Sequence, residues 1–243
     1  MALTDSLISF WKLEEASGNR ADEVGGNTLA DVNTVTQAAG IVGNASLHAL
    51  AGVEYLSIGD NAALSTGDID FTISYWIYFI SLTATQQIIT KWNSTGNDRE
   101  YACNYDGDPN NRFQLVVDSA GDGVTSSTIV ANSFGAPPSG QWIHVVCWHD
   151  SVANTINIRI NNGATDSGAH SAGLSDQAAD FRIGALGDAS GPIDARMDAV
   201  GFWKKVLSEA EHNQLQNGGF GVEHPFNEIL EGQVHVASMG VYV

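Results

Sequence analysis

Residues 154–162 read Asn-Thr-Ile-Asn-Ile-Arg-Ile-Asn-Asn, a strict alternation that by itself indicates a β-strand. Ile156, Ile158 and Ile160 fall on one side of such a strand, and polar side chains fall on the other. This pattern is typical of an antiparallel strand with one face in a core and one in solvent. The Asn-Asn-Gly at 161–163 tolerates positive φ and favours a tight turn. We therefore predict an antiparallel strand that is followed by a tight turn.

The same alternation extends outward through most of the chain. Residues 70–80 become apolar on both faces towards their end, which predicts a central strand covered on both sides. Further strands are predicted at 7–13, 45–50, 53–58, 86–92, 99–105, 112–118, 124–131, 141–149, 180–185 and 195–204. More than ten strands with frequent turn signals predict an all-β sandwich or barrel.

The C-terminal part of the sequence departs from this pattern. Ser208 and Glu211 are spaced as a capping box, and Gly218 is suited to end the helix that they begin. We place the sandwich domain at residues 1–221. Residues 222–243 form an apolar, strand-like tail, which either packs on its own domain or serves as an arm that pairs with another chain.

Charge and cysteine content limit the function classes. The 28 acidic and 10 basic side chains give a net charge of −18, which disfavours nucleic acid and anionic membranes and favours Ca²⁺. Simple solubility is the alternative reason for this charge. The N-terminus lacks the basic region of a signal peptide, and no stretch is as apolar as a membrane span. Cys103 and Cys147 are expected to be buried thiols rather than a disulfide.

Several stretches carry a family resemblance over about residues 7–218. They are residues 7–19 with the loop 21–27, Tyr55-Leu-Ser-Ile58, Phe71-Thr-Ile-Ser-Tyr-Trp-Ile77, Ile88-Ile-Thr-Lys91, Gly140-Gln-Trp-Ile-His-Val-Val146, Met197-Asp-Ala-Val-Gly-Phe-Trp203 and Leu207-Ser-Glu-Ala-Glu211. In this order they resemble the motifs of the concanavalin A-like, laminin-G-like jelly-roll family. The resemblance implies an antiparallel β-sandwich with one short C-terminal helix. Residues 46–52 depart from the family's usual Phe-Asp-Gly turn.

The start of the chain, Met-Ala-Leu-Thr-Asp-Ser-Leu, also resembles laminin-G-like proteins among tailed-phage virion components. This resemblance implies a virion surface protein, assembled in a host cytoplasm, that binds host glycan or stabilises the particle. A homo-oligomer held by the tail is the structural alternative. A glycoside hydrolase or lyase is the third hypothesis, but the carboxylate pairs Glu14/Glu15, Asp68/Asp70 and Asp194/Asp198 do not match the required strand spacing. We therefore expect no enzyme activity.

Two candidate sites follow. The resemblance implies a structural Ca²⁺ held by Asp22 and Asn27 from the early loop and Asp198 from the closing strand; turn hydrogen bonds are the alternative role of these residues. A glycan site is predicted at a loop-edge patch, because sugars need aromatic faces and planar polar groups. A capped sheet edge is the alternative there. The patch comprises Trp92, Asn93, Tyr105, Asp106, Asn110 and Arg112.

Overall fold

Two antiparallel sheets packed face to face contain the fifteen strands of residues 2–226, the part of the chain that the computed structural model describes. The strands are β1 (Leu7–Trp11), β2 (Ala30–Val32), β3 (Thr36–Ala39), β4 (Asn44–His48), β5 (Tyr55–Ile58), β6 (Phe71–Phe79), β7 (Gln86–Asn93), β8 (Asp98–Asp106), β9 (Arg112–Asp118), β10 (Ser126–Val130), β11 (Trp142–Asp150), β12 (Thr155–Ile160), β13 (Thr165–Ala169), β14 (Phe181–Ile183) and β15 (Ala195–Trp203). One sheet has eight strands in the order β13-β12-β11-β6-β15-β4-β3, with β1 also on β15. The other has seven, in the order β10-β9-β8-β7-β14-β5-β2. The predicted sandwich is confirmed.

The core lies between the two sheets and follows the alternation in the sequence. Ile156, Ile158 and Ile160 are all buried in it, as predicted. The opposite face of β12 was predicted to lie in solvent, and this is wrong. Asn157 and Arg159 are only 5% and 8% exposed, because the C-terminal helix lies over this face.

Three short edge strands, β2, β3 and β13, were not predicted. Their residues are polar or small and lack the period-two apolar pattern, so only pairing with a neighbouring strand identifies them. The first strand also ends at Trp11 rather than residue 13, where Leu13 adopts a positive φ of 66°.

The predicted helix, α1 (Glu209–Gln216), begins with both hydrogen bonds of the capping box between Ser208 and Glu211. It ends at Gln216, because the next residue, Asn217, takes the left-handed conformation that was expected at Gly218. Below it lies an outer apolar cluster, made of Leu3, Leu7, Phe10, Trp76, Ala199, Trp203, Leu207 and Leu215. Within residues 2–226 there is no helix with the length and apolarity to cross a membrane.

The first residues of the predicted tail lie against this outer cluster. Val222 and Phe226 pack on it, and the Phe226 ring meets Phe10 edge-on at 5.3 Å between centroids. Residues 227–243 lie outside the described part of the chain. The prediction of an intermolecular arm over 222–243 therefore stays a prediction.

Cys103 on β8 and Cys147 on β11 are buried free thiols on opposite sheets. The two thiols meet across the core, where the Cys147 side chain is hydrogen-bonded to Cys103, and both are in the free state expected from the sequence.

Candidate functional site

A row of amide side chains crosses the outer face of the seven-stranded sheet. Gln87 on β7 lies opposite Asn104 on β8, which in turn lies opposite Gln114 on β9. Their neighbours along β8 and β9, such as Cys103 and Leu115, are in the core. Because side chains alternate along a strand, the three amides face outward. With Asp106 and Arg112, the next outward pair along β8 and β9, they form what we call the amide face.

Two of these amides have no side-chain hydrogen bonds within residues 2–226. Gln87 Oε1 and Asn104 Oδ1 are shielded from solvent and lack a donor, and Asn104 is only 7% exposed. Leaving a buried polar group unpaired costs about 1–3 kcal/mol. A carboxamide offers two donors and one acceptor in a plane, and rotation by 180° exchanges their positions. The row therefore holds unused hydrogen-bonding capacity, which a ligand reaches only if these two carboxamides rotate toward solvent.

Three of the residues predicted from sequence border this row. Asp106 Oδ2 accepts hydrogen bonds from Gln114 Nε2 at 2.9 Å and from Asn110 Nδ2 at 2.5 Å. Arg112 lies opposite Asp106 and donates to the carbonyl of Asn110 at 3.1 Å. These bonds fix a polar corner next to the amides.

The other three predicted residues do not join them. The Tyr105 ring is in the core, 1% exposed, and only its hydroxyl reaches the loop. Trp92 and Asn93 lie at the opposite end of the β7–β8 hairpin, since Trp92 is opposite Arg99. Six residues of strand separate Arg99 from Tyr105, about 20 Å. A single patch of all six residues is therefore wrong.

Trp92 lies near the end of β7, a strand that pairs with β8 on one side and β14 on the other, and its part in ligand binding stays a prediction. The Arg99 guanidinium lies over its indole ring, 5.9 Å from the centroid. This contact covers one of the ring faces that a sugar needs for stacking.

The three candidate calcium ligands do not form one set. Asp22 Oδ1 accepts from the amides of Phe10 at 2.9 Å and Val24 at 3.0 Å, and Oδ2 accepts from Gly25 at 3.0 Å and Asn27 at 2.9 Å. Four backbone donors thus occupy the lone pairs that a cation needs. This is the turn role named as the alternative.

The side chain of Asn27 is also occupied by hydrogen bonds within the protein, and Asp198 lies on β15, away from this loop. The Asn27 side chain accepts from Asn61 at 2.6 Å and donates to Ser9 at 2.7 Å. The Phe10 amide and carbonyl both bond to the 22–23 loop, so β1 separates this loop from β15. Two strand spacings, about 10 Å, therefore lie between Asp22 and Asp198. Calcium binding stays a prediction that these residues do not support.

Asp198 has an unusual environment of its own. It is fully buried, and its Oδ2 accepts from the amides of Ile41 at 2.7 Å and Val42 at 3.2 Å. Oδ1 is buried and has no hydrogen-bond partner in the described part. Burial, reinforced by the nearby Glu223 carboxyl, raises the pKa of Asp198 to about 8 despite hydrogen bonds from backbone amides. Asp198 is therefore mainly protonated at neutral pH.

The site lacks the features of glycoside hydrolysis. That reaction usually needs two carboxyl groups, about 5–9.5 Å apart across the sugar bond. The five residues of the amide face include one carboxylate, Asp106, and it already accepts two hydrogen bonds. Residues 2–226 also contain no cluster of three His, Cys, Asp or Glu side chains that could hold a metal ion. The geometry of this face suits binding.

Comparison with known proteins agrees with the architecture. A family model described as the concanavalin A-like lectin/glucanases superfamily matches residues 50–211. No curated protein sequence gives a significant match.

Solved structures with the same fold include binding domains of larger proteins. The binding domain of Paraclostridial mosquitocidal protein 1 is 17% identical, with a TM-score of 0.69 over 90% of this chain and 53% of that one. Domain 4 of AbnA, a GH43 extracellular arabinanase from Geobacillus stearothermophilus, was solved in complex with arabinotriose. It is 16% identical, with a TM-score of 0.64 over 85% of this chain and 96% of that one. A structure of botulinum neurotoxin type C, whose cell entry depends on interaction with two ganglioside molecules, is 16% identical. Its TM-score is 0.64 over 88% of this chain and 51% of that one. The chain spans about half the length of both toxin chains. At these identities the likeness shows the fold.

Proposed function

Because this chain belongs to the concanavalin A-like lectin/glucanases superfamily, we propose that it is a non-enzymatic module that binds glycan on its amide face. The observation that carries the proposal is the row of Gln87, Asn104 and Gln114, in which two amide oxygens have no hydrogen-bond partner within residues 2–226. The arabinotriose complex of the AbnA domain and the ganglioside dependence of the neurotoxin support a sugar as the ligand class.

The chemistry of sugar recognition explains why unpaired amides are informative. Sugar hydroxyls donate and accept at adjacent positions, and a carboxamide does the same within one plane. A ligand that satisfies Gln87 and Asn104 removes a cost of about 1–3 kcal/mol for each unpaired group. The row crosses three strands, so it matches an extended chain of sugars better than a small ion. The backbone of the sheet holds the row rigid before the ligand arrives.

Asn104→Leu tests this proposal by separating stability from binding. The leucine has similar volume and no polar atoms, so the domain should keep or increase its stability. Its affinity for the best ligand found on a glycan array should fall at least tenfold, which is about 1.4 kcal/mol. Isothermal titration gives the affinity, and urea unfolding gives the stability.

Trp92→Leu is the matched control at the other end of the hairpin and should bind as the unmodified chain does. Loss of binding in Trp92→Leu but not in Asn104→Leu would move the site away from the amide face. An array on which no glycan binds would overturn the proposed function.

The place of this module in an assembly is a separate proposal. We propose a role on the surface of a phage particle, with self-association through residues 222–243; it rests on the resemblance of the N-terminal segment and on the apolar sequence of the tail. Because Val222 and Phe226 pack on the domain, the test variant ends at residue 226. Light scattering should show an oligomer for the full chain and a monomer for the shortened one. Equal masses would contradict the arm.

A further inference from the structure

A concave site lies on the other side of the molecule from the amide face, where α1 crosses the outer face of the eight-stranded sheet. This helix pocket has a volume of about 320 Å³. It is bounded by the helix, by β11 and by the turn between β12 and β13. Its lining includes Trp148, Arg159, Thr165, Leu207, Glu209 and His212. The volume is at the lower end of the range for small-molecule sites, about 300–1,000 Å³.

His212 is the observation that points to a ligand. The side chain is 3% exposed, and neither Nδ1 nor Nε2 has a hydrogen-bond partner within residues 2–226. Burial lowers the pKa of His212 to about 4, so the ring is neutral and offers one donor and one acceptor. Leaving both unused in a buried position is costly. A hydroxyl group bound in the pocket can pair with one of these nitrogens if the ring rotates to turn it toward the pocket.

The remaining walls combine an apolar side with a fixed polar rim. The Trp148 ring lies against His212 at 5.2 Å between centroids, and Leu207 adds aliphatic surface. Arg159 is held by the carbonyls of Asn162 and Gly163, both at 2.8 Å. Its guanidinium also forms an ion pair with Glu209 at 3.1 Å. The rim therefore presents polar atoms in fixed positions with its charges already balanced.

We propose that the helix pocket is a second binding site, and that it takes a single uncharged pyranose residue. A pyranose has an apolar face for Trp148 and hydroxyls at its edge for His212 and Arg159. A charged sugar is disfavoured, since Glu209 already neutralises Arg159 and the chain carries a net charge of −18. The pocket and the amide face are on different sheets, so this site is independent of the proposed function.

The test is an NMR titration that follows the indole N–H signal of Trp148. The probes are methyl β-D-galactopyranoside, methyl α-D-mannopyranoside and N-acetylglucosamine, with N-acetylneuraminic acid as the charged comparison. At least one neutral probe should shift the Trp148 signal saturably. The charged sugar should not.

Two variants locate the binding. Thr165→Trp fills the pocket from its exposed edge, and His212→Phe keeps the ring volume but removes both nitrogens; each should weaken binding at least tenfold. Thr165→Ser is the control that should bind normally, and Asn104→Leu should leave this site intact. The proposal is overturned if no neutral probe shifts the signal, if Thr165→Trp leaves the affinity unchanged, or if only the charged sugar binds.

Discussion

Replacing Glu100 with alanine is expected to destabilise the domain by about 3–5 kcal/mol, the usual cost of breaking a buried ion pair. Glu100 and Lys91 are both fully buried, with 2.7 Å between Oε1 and Nζ. The carboxylate also accepts the backbone amides of Thr66 and Gln177, each at 2.9 Å. The alanine variant thus leaves two amides unpaired and removes a charge partner of the buried lysine. The midpoint of urea unfolding should fall with little change in slope.

Asp60→Ala is the matched control for this prediction. Asp60 contacts the same Lys91 nitrogen at 2.8 Å, but its side chain is 47% exposed. Solvent screens such a pair, so its loss should cost less than about 1 kcal/mol. If Asp60→Ala were as damaging as Glu100→Ala, the Glu100 carboxylate would not be what fastens the loops of Thr66 and Gln177 to the β7–β8 hairpin.

Strand periodicity was enough to predict the sandwich, because burial between two sheets imposes a period of two. Ile156, Ile158 and Ile160 illustrate this. The same reasoning failed for Asn157 and Arg159, whose polarity suggested solvent. These residues are covered by a helix about fifty positions later, and local alternation contains no information on where that helix docks.

The candidate site was only partly predictable for a related reason. Asp106, Asn110 and Arg112 are close in sequence around one turn, so their proximity follows from the hairpin. The row of amides is different, because only the register of β7, β8 and β9 brings Gln87, Asn104 and Gln114 together. The pairing of β7 with β8 also shifts register just after Gln87. The signal available in the sequence was a polar residue at an outward position of each strand. Without the register, that signal does not distinguish a binding row from ordinary surface.

Asp198→Asn is expected to flatten the decrease in stability between pH 7 and pH 8. Burial raises the pKa of Asp198 from its ordinary value of 3.8 to about 8. Between these values the folded chain keeps a proton that the unfolded chain releases, so stability falls as pH rises. The slope for one such proton is about 1.4 kcal/mol per pH unit. Asparagine has no proton to lose, and its carbonyl can still accept from the amides of Ile41 and Val42.

The pH range is chosen so that other buried groups do not obscure this effect. Burial lowers the pKa of His48 and His212 to about 4 and that of His144 to about 3. Each of these histidines destabilises the fold as pH falls below about 6.5, the unfolded value, and has no further effect above it. Burial and Glu14 raise the pKa of Glu223 to about 7, so this carboxyl is about half ionised at pH 7 and its own contribution to the slope fades toward pH 8.

Urea unfolding at pH 7.0, 7.5 and 8.0 therefore isolates Asp198 as the main titrating group. Asp108→Asn, a substitution in an exposed loop, is the control and should keep the wild-type slope. Equal slopes for Asp198→Asn and the unmodified chain would show that Asp198 is already ionised in the fold.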